Sequence, residues 1–295
     1  MPRRRCNLPV CSLVGPTIVC RSAEKDGSAR CMKDLSGRIA FITGASRGIG
    51  RAAALALGGR GATIAVGYRK EAAAAQELVA EIERRGGHGA PIQLDVGDPA
   101  QRDAAFDRIA ERFGALDIFV ANAAATAFKP LLEVKPHHVA KTFAITVDGF
   151  LFGVQRAAAL MAGRDGGSIV AVSGYDCVRT VPRHGVLGAA KAALEMLARQ
   201  YAFELGPRGI RVNCVNFVYA DTDSTRFFVG EGHAALQEDM RALTPLRGLA
   251  TADDVAGAIS YLCSDAARFV SGQTIMVDGG VLLTSPAPAH LPPID

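Results

Sequence analysis

A glycine-rich segment near the start of the chain has residue types and spacing suited to holding a phosphate group. Residues 43–50 read TGASRGIG and directly follow the apolar run at 39–42. In a turn between a strand and a helix, Gly44 would permit the tight turn, Gly48 would let the backbone approach a pyrophosphate, and Gly50 would let the helix pack closely on the strand. The N–H groups and positive dipole end of the helix would then face the anion. The segment therefore predicts a dinucleotide site whose contacts are Gly44, Ser46, Arg47, Gly48, Ile49 and Gly50.

The end of the next apolar run indicates which dinucleotide is bound. An NAD site places an acidic residue there, where it holds the ribose 2′-hydroxyl. This run ends in VGYRK at 66–70, which contains no acid. Arg69, helped by Arg47, could instead bind a 2′-phosphate. Each arginine alone could equally be a solvated surface charge, but together with the missing acid they predict NADPH, with Tyr68 in the same site.

The elements around these motifs predict the fold that positions them. Short β-branched runs alternate with longer helical patterns, and runs such as 118–120 and 169–172 are apolar on both faces, so helices must cover both faces. With right-handed crossovers, this pattern predicts an α/β, Rossmann-like doubly wound parallel sheet of about seven strands in a single domain. The predicted strands are 38–43, 62–67, 90–94, 116–121, 167–173, 209–215 and 273–277. The predicted helices are 48–58, 71–85, 100–113, 137–162, 183–205 and 252–263.

Length and composition agree with one large folded domain. The chain has 295 residues, 49% hydrophobic and 21% charged, which excludes a disordered or collagen-like chain. Every apolar run is interrupted before about 18 residues, so no membrane-spanning helix is expected. The net charge of +4 lies within residues 1–32 and the remainder is neutral. We therefore expect neither nucleic acid nor an acidic membrane as a partner.

The first 32 residues differ in composition from the rest. They hold four of the seven cysteines, and no C-x-x-C pair occurs, so no metal site is expected. The scattered thiols Cys177, Cys214 and Cys263 suit the reducing cytoplasm. Pro9 and Pro16 interrupt a stretch that faintly resembles a signal peptide. We expect 1–32 to be a disordered extension or translated sequence upstream of the true start, 33–285 to be the domain, and 286–295 to be a tail.

An irregular stretch interrupts the alternating pattern at 216–248. It is too long for an ordinary connection, and long loops in compact folds are usually functional lids or disordered segments. Its place after the sixth predicted strand, at the carboxyl edge of the sheet, favours a lid over the substrate.

Spaced landmarks make the chain similar to the short-chain dehydrogenase/reductase family over roughly 33–285. They are the glycine loop, the Asp95-Val96 pair, the Asn122 segment, Lys191 and the closing segment 272–280. In that family the Asp95-Val96 pair borders the adenine, the Asn122 segment runs beside the nicotinamide ribose, and the lysine binds that ribose. The resemblance therefore adds Asp95, Val96, Asn122, Ala123, Lys191 and Thr222 to the predicted cofactor site.

Within the family, two segments resemble the NADPH-dependent enoyl-acyl carrier protein reductases. Residues 122–125 read NAAA where the usual sequence is Asn-Ala-Gly, and residues 220–223 read ADTD. The family's ordinary ketone-reducing site, by contrast, is largely missing. Counting back from Lys191, the tyrosine position holds Leu187 and the serine position holds Gly174, one place after Ser173. The asparagine position holds Thr146.

Enoyl reductases of this family space their tyrosine as Tyr-x6-Lys, and that spacing leads to His184. Reduction of an α,β-unsaturated thioester delivers hydride to the β-carbon and places negative charge on the thioester oxygen, where a donor stabilises it. An imidazole, with an ordinary pKa of about 6.5, can donate there. His184 is the first candidate donor, although it could be merely a polar residue at a helix start. Tyr175 is the second, and Tyr219 is less favoured.

These observations leave several functions open. The leading hypothesis is an NADPH-dependent reductase of the C=C bond of an enoyl-thioester on acyl carrier protein or coenzyme A, in fatty acid or polyketide metabolism. This is class EC 1.3.1 rather than 1.1.1. One alternative is a tailoring reductase of specialised metabolism that acts on a different C=C, C=O or C=N bond, and a cyclohexenyl-carboxyl thioester would suit both views. The other alternative is a non-catalytic NADPH-binding homologue.

Two small-residue helix faces bear on the expected assembly. They lie at 158–161 and 192–197, and in this family the corresponding helices pair across a dimer. Small side chains allow close approach of helices, so we expect a homodimer or homotetramer.

Overall fold

The computed structural model describes residues 34–221, 225–226 and 229–283, together with the backbone of 13–14 and 17–18. Leu13–Val14 (β1) and Thr17–Ile18 (β2) form a short antiparallel pair in the unit Met1–Met32. The remainder of the expected extension and the expected tail at 286–295 lie outside the described residues. The second unit, Lys33–Asp295, contains the large sheet.

The large sheet has seven parallel strands in the order β5-β4-β3-β6-β7-β8-β9. The order reverses between β3 and β6, which opens a crevice outside the carboxyl ends of the strands, where ligands bind in such sheets. The predicted doubly wound sheet is confirmed. Its strands are β3 (Ile39–Ile42), β4 (Thr63–Tyr68), β5 (His88–Gln93), β6 (Ile118–Ala121), β7 (Gly167–Val172), β8 (Ile210–Phe217) and β9 (Thr274–Val277).

Helices cover both faces of this sheet. They are α1 (Gly48–Gly59), α2 (Ala72–Arg84), α3 (Pro99–Phe113), α4 (Pro136–Phe143), α5 (Gly149–Leu160), α6 (Gly185–Leu205), α7 (His233–Leu243) and α8 (Ala252–Leu262). One core cluster joins α1, α2 and α8 to Ile42 and Val120, and the other joins α3, α5 and α6 to Phe41 and Phe119. Neighbouring strand residues thus enter opposite cores, because successive side chains point to opposite faces.

Capping residues explain why the predicted helix boundaries are close to the observed ones. The Asp98 side chain accepts a hydrogen bond from the N–H of Gln101 at 3.1 Å, and Pro99 begins α3. That helix is capped after Phe113 by Gly114, whose φ of 76° lies in the left-handed region that glycine adopts most easily. Thr251 and Asp254 form a reciprocal capping box at the start of α8.

The long helix predicted at 137–162 is continuous but not uniform. Between α4 and α5, residues Ala144–Asp148 form a π turn, a feature that occurs frequently at functional sites. By length and hydropathy alone, the run Pro136–Leu160 could cross a membrane. Phe150, Val154 and Ala157 are buried in one of the two sheet cores, so this run is a core helix of the domain.

The expectation of an irregular segment at 216–248 is wrong in part. Strand β8 continues to Phe217, and α7 occupies His233–Leu243. Leu236 and Met240 of α7, one helical turn apart, line the cavity at the carboxyl edge of the sheet. Residues 222–224 and 227–228 lie outside the described part of the chain. The lid function of the segment stays a prediction.

Candidate active site

A cavity of about 610 Å³ lies at the crevice where the strand order reverses. It runs from the glycine loop to α7, and it contains both the predicted cofactor contacts and the candidate donors. Gly50 lies beneath the loop rather than in the lining, and Thr222 lies outside the described residues. The predicted residues that line it are Gly44, Ser46, Arg47, Gly48, Ile49, Tyr68, Arg69, Asp95, Val96, Asn122, Ala123, Tyr175, His184 and Lys191.

The glycine loop has the backbone geometry that a pyrophosphate site requires. Gly44 and Gly48 have φ angles of 64° and 55°, in the left-handed region. The side-chain amide of Asn122 donates to the carbonyl oxygens of Thr43 and Gly44, both at 3.0 Å. A Cβ atom on Gly50 would lie 2.6 Å from that amide nitrogen. The two hydrogen bonds from Asn122 therefore hold the glycine loop against the end of β6, and the N-terminus of α1 faces the cavity.

Arg69, directly after β4, brings a positive charge to the lining of the cofactor cleft. Arg69 lies 3.6 Å from the Asp95 carboxylate, and their side chains are 47% and 31% exposed. An ion pair so exposed contributes at most about 1 kcal/mol, so the guanidinium can readily exchange the carboxylate for a more highly charged phosphate. Arg47 and Tyr68 line the same cavity. These residues fit a cofactor that carries a 2′-phosphate.

Replacing Arg69 with glutamate should lower NADPH affinity by about 10- to 100-fold, because a hydrogen bond to a charged group contributes about 1.5–3 kcal/mol. NADH affinity should change much less, because NADH lacks the 2′-phosphate. Arg51→Glu makes the same charge change at an exposed position outside the cavity lining and serves as the control. Titrations of cofactor fluorescence measure both affinities. Equal losses for the two cofactors would contradict the role of Arg69.

Lys191 extends from α6 toward the end of β7. Its side chain is buried, and its Nζ donates to the carbonyl oxygen of Val172 at 2.5 Å. Burial lowers the pKa of this lysine, and the nearby carboxyl groups of Asp176 and Glu195 oppose that effect. Lys191 thus lies at the cavity floor beside the strand end, where the family resemblance predicts a ribose contact.

The positions that carry the donors of an ordinary ketone-reducing site are occupied differently here. Leu187 lines the cavity with an aliphatic side chain. Thr146 lies in the π turn, and its hydroxyl has no hydrogen-bond partner among the described residues. A Cβ atom placed on Gly174 would lie 2.7 Å from Oδ1 of Asp176. The Asp176 carboxyl group therefore fills the space that a serine side chain would take.

Asp176 was missed by sequence reasoning. Its only sequence signal is an acid two residues after the glycine that stands at the serine position. Whether such a carboxyl group turns toward that glycine depends on the 3₁₀ turn Tyr175–Cys177 and on how this turn packs against α6.

His184 precedes the first residue of α6 and packs its ring against Phe128, with 4.8 Å between ring centroids. Its Nδ1 lies 3.0 Å from the carbonyl oxygen of Pro182. A carbonyl oxygen can only accept, so Nδ1 carries the hydrogen in this contact. Nε2 of the neutral ring is then an acceptor, and His184 can donate from Nε2 only as a positively charged imidazolium.

Two tyrosines also line the cavity. Burial raises the pKa of Tyr175, so its hydroxyl keeps its proton at neutral pH. The hydroxyl of Tyr219 lies 3.0 Å from Nε2 of His233, and that nitrogen lies 3.2 Å from Oδ1 of Asp221. Tyr219 is thus held by the first residue of α7, whereas Tyr175 belongs to the turn after β7.

A buried carboxylate lies below Lys191 on α6. Glu195 accepts hydrogen bonds from the Asn216 amide at 2.9 Å, the Cys177 thiol at 3.2 Å and the Thr274 hydroxyl at 3.3 Å. Burial, followed by Glu195, raises the pKa of Cys177 to about 11. The thiol therefore stays protonated at neutral pH, which argues against a nucleophilic role.

The amino-acid sequence of this chain is similar to those of known reductases. Residues 44–282 match the family model for enoyl-(acyl carrier protein) reductase. The 1-cyclohexenylcarbonyl-CoA reductase of Streptomyces collinus is 44% identical over 250 residues, which cover 84% of this chain and 88% of that protein. The versicolorin reductase stcU of Emericella nidulans is 36% identical over 83% of this chain and 96% of its own length.

The fold of this chain is also similar to a solved structure. The angucycline C-6 ketoreductase LanV, crystallised with bound NADP, superposes with a TM-score of 0.78 at 35% identity and covers 85% of this chain and 98% of its own. The relatives thus include both a reductase of a cyclic enoyl-thioester and a reductase of a ketone.

Proposed function

The chain belongs to the short-chain dehydrogenase/reductase family and is an oxidoreductase that uses NADP(H), and from that premise we propose that it reduces the C=C bond of an enoyl-thioester. The observation that carries the proposal is Leu187. An aliphatic side chain stands where the ketone-reducing members have their tyrosine, while the predicted cofactor contacts among the described residues, apart from Gly50, line the cavity. The relative from Streptomyces collinus, named for a cyclic enoyl-CoA, supports the same substrate class.

The cavity walls suit an apolar acyl chain with one polar end. Beyond the cofactor cleft, apolar side chains from three segments line the cavity, namely Val181, Leu187, Phe217, Val218, Leu236 and Met240. Such a lining excludes water from the double bond, and the few polar groups at the floor fix the orientation of the thioester. The thioester oxygen would face the turn after β7, where Asp176 and Tyr175 lie.

The chemical roles then divide among the residues of the chain. NADPH supplies a hydride to the β-carbon when bound. Lys191 would hold the cofactor and, through its charge, favour negative charge on the substrate oxygen. His184, as an imidazolium, would supply a proton to the α-carbon. A thioester is less electrophilic at its carbonyl than a ketone, so hydride addition to the conjugated double bond is favoured over addition to the carbonyl.

A second function has a specific observation in its favour. The versicolorin reductase and the angucycline ketoreductase act, by their names, in specialised metabolism. A tailoring reductase of this kind would use Tyr175 as the donor to a developing alkoxide, because Tyr175 lines the cavity with a hydroxyl that stays protonated.

The deciding experiment follows NADPH oxidation by absorbance with the full-length protein. The panel contains 1-cyclohexenylcarbonyl-CoA, crotonyl-CoA and aromatic polyketide ketones. We expect the protein to reduce the enoyl-thioesters and not the ketones. Turnover of ketones alone would replace the proposal by the tailoring ketoreductase. Tight NADPH binding without any turnover would point to the non-catalytic homologue.

The first variant to test is His184→Phe, which keeps the ring contact with Phe128 but has no proton to give. Removal of a general acid costs about 100-fold or more in rate, so we expect a fall of that size in enoyl-thioester reduction with NADPH affinity unchanged. Tyr175→Phe is the matched control within the same cavity. A full rate for the His184 variant combined with loss in the Tyr175 variant would transfer the donor role to Tyr175.

A further inference from the structure

The carboxyl group of Asp176 is held in the active site by backbone packing. The turn Tyr175–Cys177 lies against the first turns of α6, and a Cβ atom on Gly188 would collide with the carbonyl oxygen of Asp176. The missing side chains at Gly174 and Gly188 leave room for this turn and for its carboxyl group. Asp176 lines the cavity together with Lys191 and His184.

The surroundings of this carboxyl group favour its neutral acid form. Its Oδ2 is buried and has no hydrogen-bond partner among the described residues. An ionised carboxylate would therefore leave a buried charged oxygen unpaired, which is costly. The hydrogen bond described for the Lys191 ammonium group goes to the carbonyl oxygen of Val172, so Lys191 acts on this carboxyl group through its charge.

The electrostatics point in the same direction. Burial raises the pKa of Asp176 and is the largest influence, whereas the charges of Lys191 and His184 lower it and that of Glu195 raises it. The two titratable residues that flank Asp176 in the turn, Tyr175 and Cys177, both keep their protons at neutral pH. Rotation about χ2 exchanges the two carboxyl oxygens, so the acid proton can be presented toward the cavity.

From this placement we propose that Asp176 is a catalytic residue that, as a neutral carboxylic acid, donates a hydrogen bond to the thioester oxygen of the substrate. The inference rests on the proposed function. The Asp176 carboxyl group takes the space of a serine side chain at Gly174 and supplies the side-chain donor that Gly174 and Leu187 lack.

The role fits a balanced reduction. Hydride addition to the β-carbon breaks the π bond and moves its electron pair onto the thioester oxygen. The proton of Asp176 stays on the carboxyl group and is hydrogen-bonded to that oxygen while the negative charge is there. A proton added to the α-carbon then restores the thioester carbonyl. Asp176 is thus unchanged at the end, and the reaction consumes one hydride and one proton.

Two substitutions of Asp176 test whether the rate depends on a hydrogen-bond donor at this position or only on a side chain of this size. Asp176→Ala removes the donor, and loss of one oxyanion donor costs about 100- to 1,000-fold in kcat. Asp176→Asn keeps a neutral donor of the same size, so it should retain most of the rate and lose the decline that the wild type shows as pH rises and the acid ionises. NADPH affinity, measured by fluorescence, should be unchanged in both. Asp253→Asn, at an exposed position on α8, is the control.

Thermal stability gives a readout that does not depend on turnover. A carboxyl group whose pKa is higher in the folded than in the unfolded chain keeps its proton longer in the folded state, so stability falls as pH rises above the ordinary aspartate value. Asp176→Asn should therefore melt at a higher temperature than the wild type at neutral pH, and this difference should disappear in acid. An acid that served only the structure would give a lower melting temperature on substitution.

The outcomes distinguish the two proposals. Wild-type turnover of enoyl-thioesters, with equal rates in wild type and Asp176→Ala, overturns the role of Asp176 and leaves the proposed function intact. If the wild type reduces only ketones, the proposed function fails, and equal ketone turnover in wild type and Asp176→Ala overturns the role of Asp176 as well. If no substrate is reduced, an infrared carbonyl band of a protonated carboxyl group that vanishes in Asp176→Asn supports the acid form. Absence of that band at neutral pH overturns the inference.

Discussion

Replacing Lys191 with methionine should lower kcat by about 100- to 1,000-fold, because the substitution removes a fixed positive charge from beside the reacting groups. Methionine has nearly the same length and no charge, so it fills the space between α6 and the end of β7. Cofactor affinity should also fall, since the predicted contact with the ribose is lost. Turnover of 1-cyclohexenylcarbonyl-CoA and a fluorescence titration with NADPH measure these effects.

The same variant should be at least as stable as the wild type at neutral pH. Burial lowers the pKa of Lys191 in the folded protein, so the unfolded chain binds its proton more tightly than the folded chain does. Stability of the wild type therefore rises with pH toward the ordinary lysine value, and methionine removes this dependence. Lys141→Met, at an exposed position on α4, is the control. Wild-type turnover in Lys191→Met would exclude Lys191 from catalysis.

Replacing Gly50 with alanine should weaken NADPH binding by about 100-fold or destabilise the fold by about 1–3 kcal/mol, since overpacking a well-packed position has costs of this size. The added Cβ atom would collide with the carbonyl oxygen of Gly44 and lie 2.6 Å from the Asn122 amide and 3.0 Å from Cα of Ala45. Relief of these contacts requires the glycine loop to move away from β6, which spoils the pyrophosphate site.

The last residue of the same helix supplies a matched control. A Cβ atom on Gly59 would have no heavy atom within 4 Å, and alanine is favoured over glycine in a helix by about 1 kcal/mol or less. Gly59→Ala should therefore leave NADPH binding unchanged and the melting temperature unchanged or slightly higher. Chemical denaturation and a cofactor titration compare the two variants. Similar behaviour of both would show that close packing at Gly50 is not what maintains the loop.

Some residues of the candidate site could be predicted from the sequence and others could not, because their sequence signals differ in how local they are. The glycine loop could be predicted because its residues are contiguous and each has a backbone role of its own. The positive cleft at Arg69 could be predicted from the end of one strand. Asp176 could not, because its meaning depends on the space left by glycines at two other positions and on a turn that packs against α6.

Helix α7 and the π turn are two elements of secondary structure that the sequence did not predict. Helix α7 lies within the stretch predicted to be irregular, and its two cavity-facing apolar residues acquire meaning only once they lie opposite the sheet edge. The π turn at Ala144–Asp148 inserts into a helix whose sequence reads as one continuous run. In both cases tertiary packing decides local conformation that propensity leaves open.

The sequence by itself determined the alternating order of strands and helices, the doubly wound parallel sheet, the glycine loop and the preference for a 2′-phosphate. These follow from periodicity, from two-sided burial of strands and from charge, which act over a few neighbouring residues. Only the tertiary structure decided which side chains meet at the floor of the cavity. Their contacts depend on how β7, α6 and the turn between them pack against one another. The hydrophobic core holds these segments in place, and no short pattern in the sequence encodes their contacts.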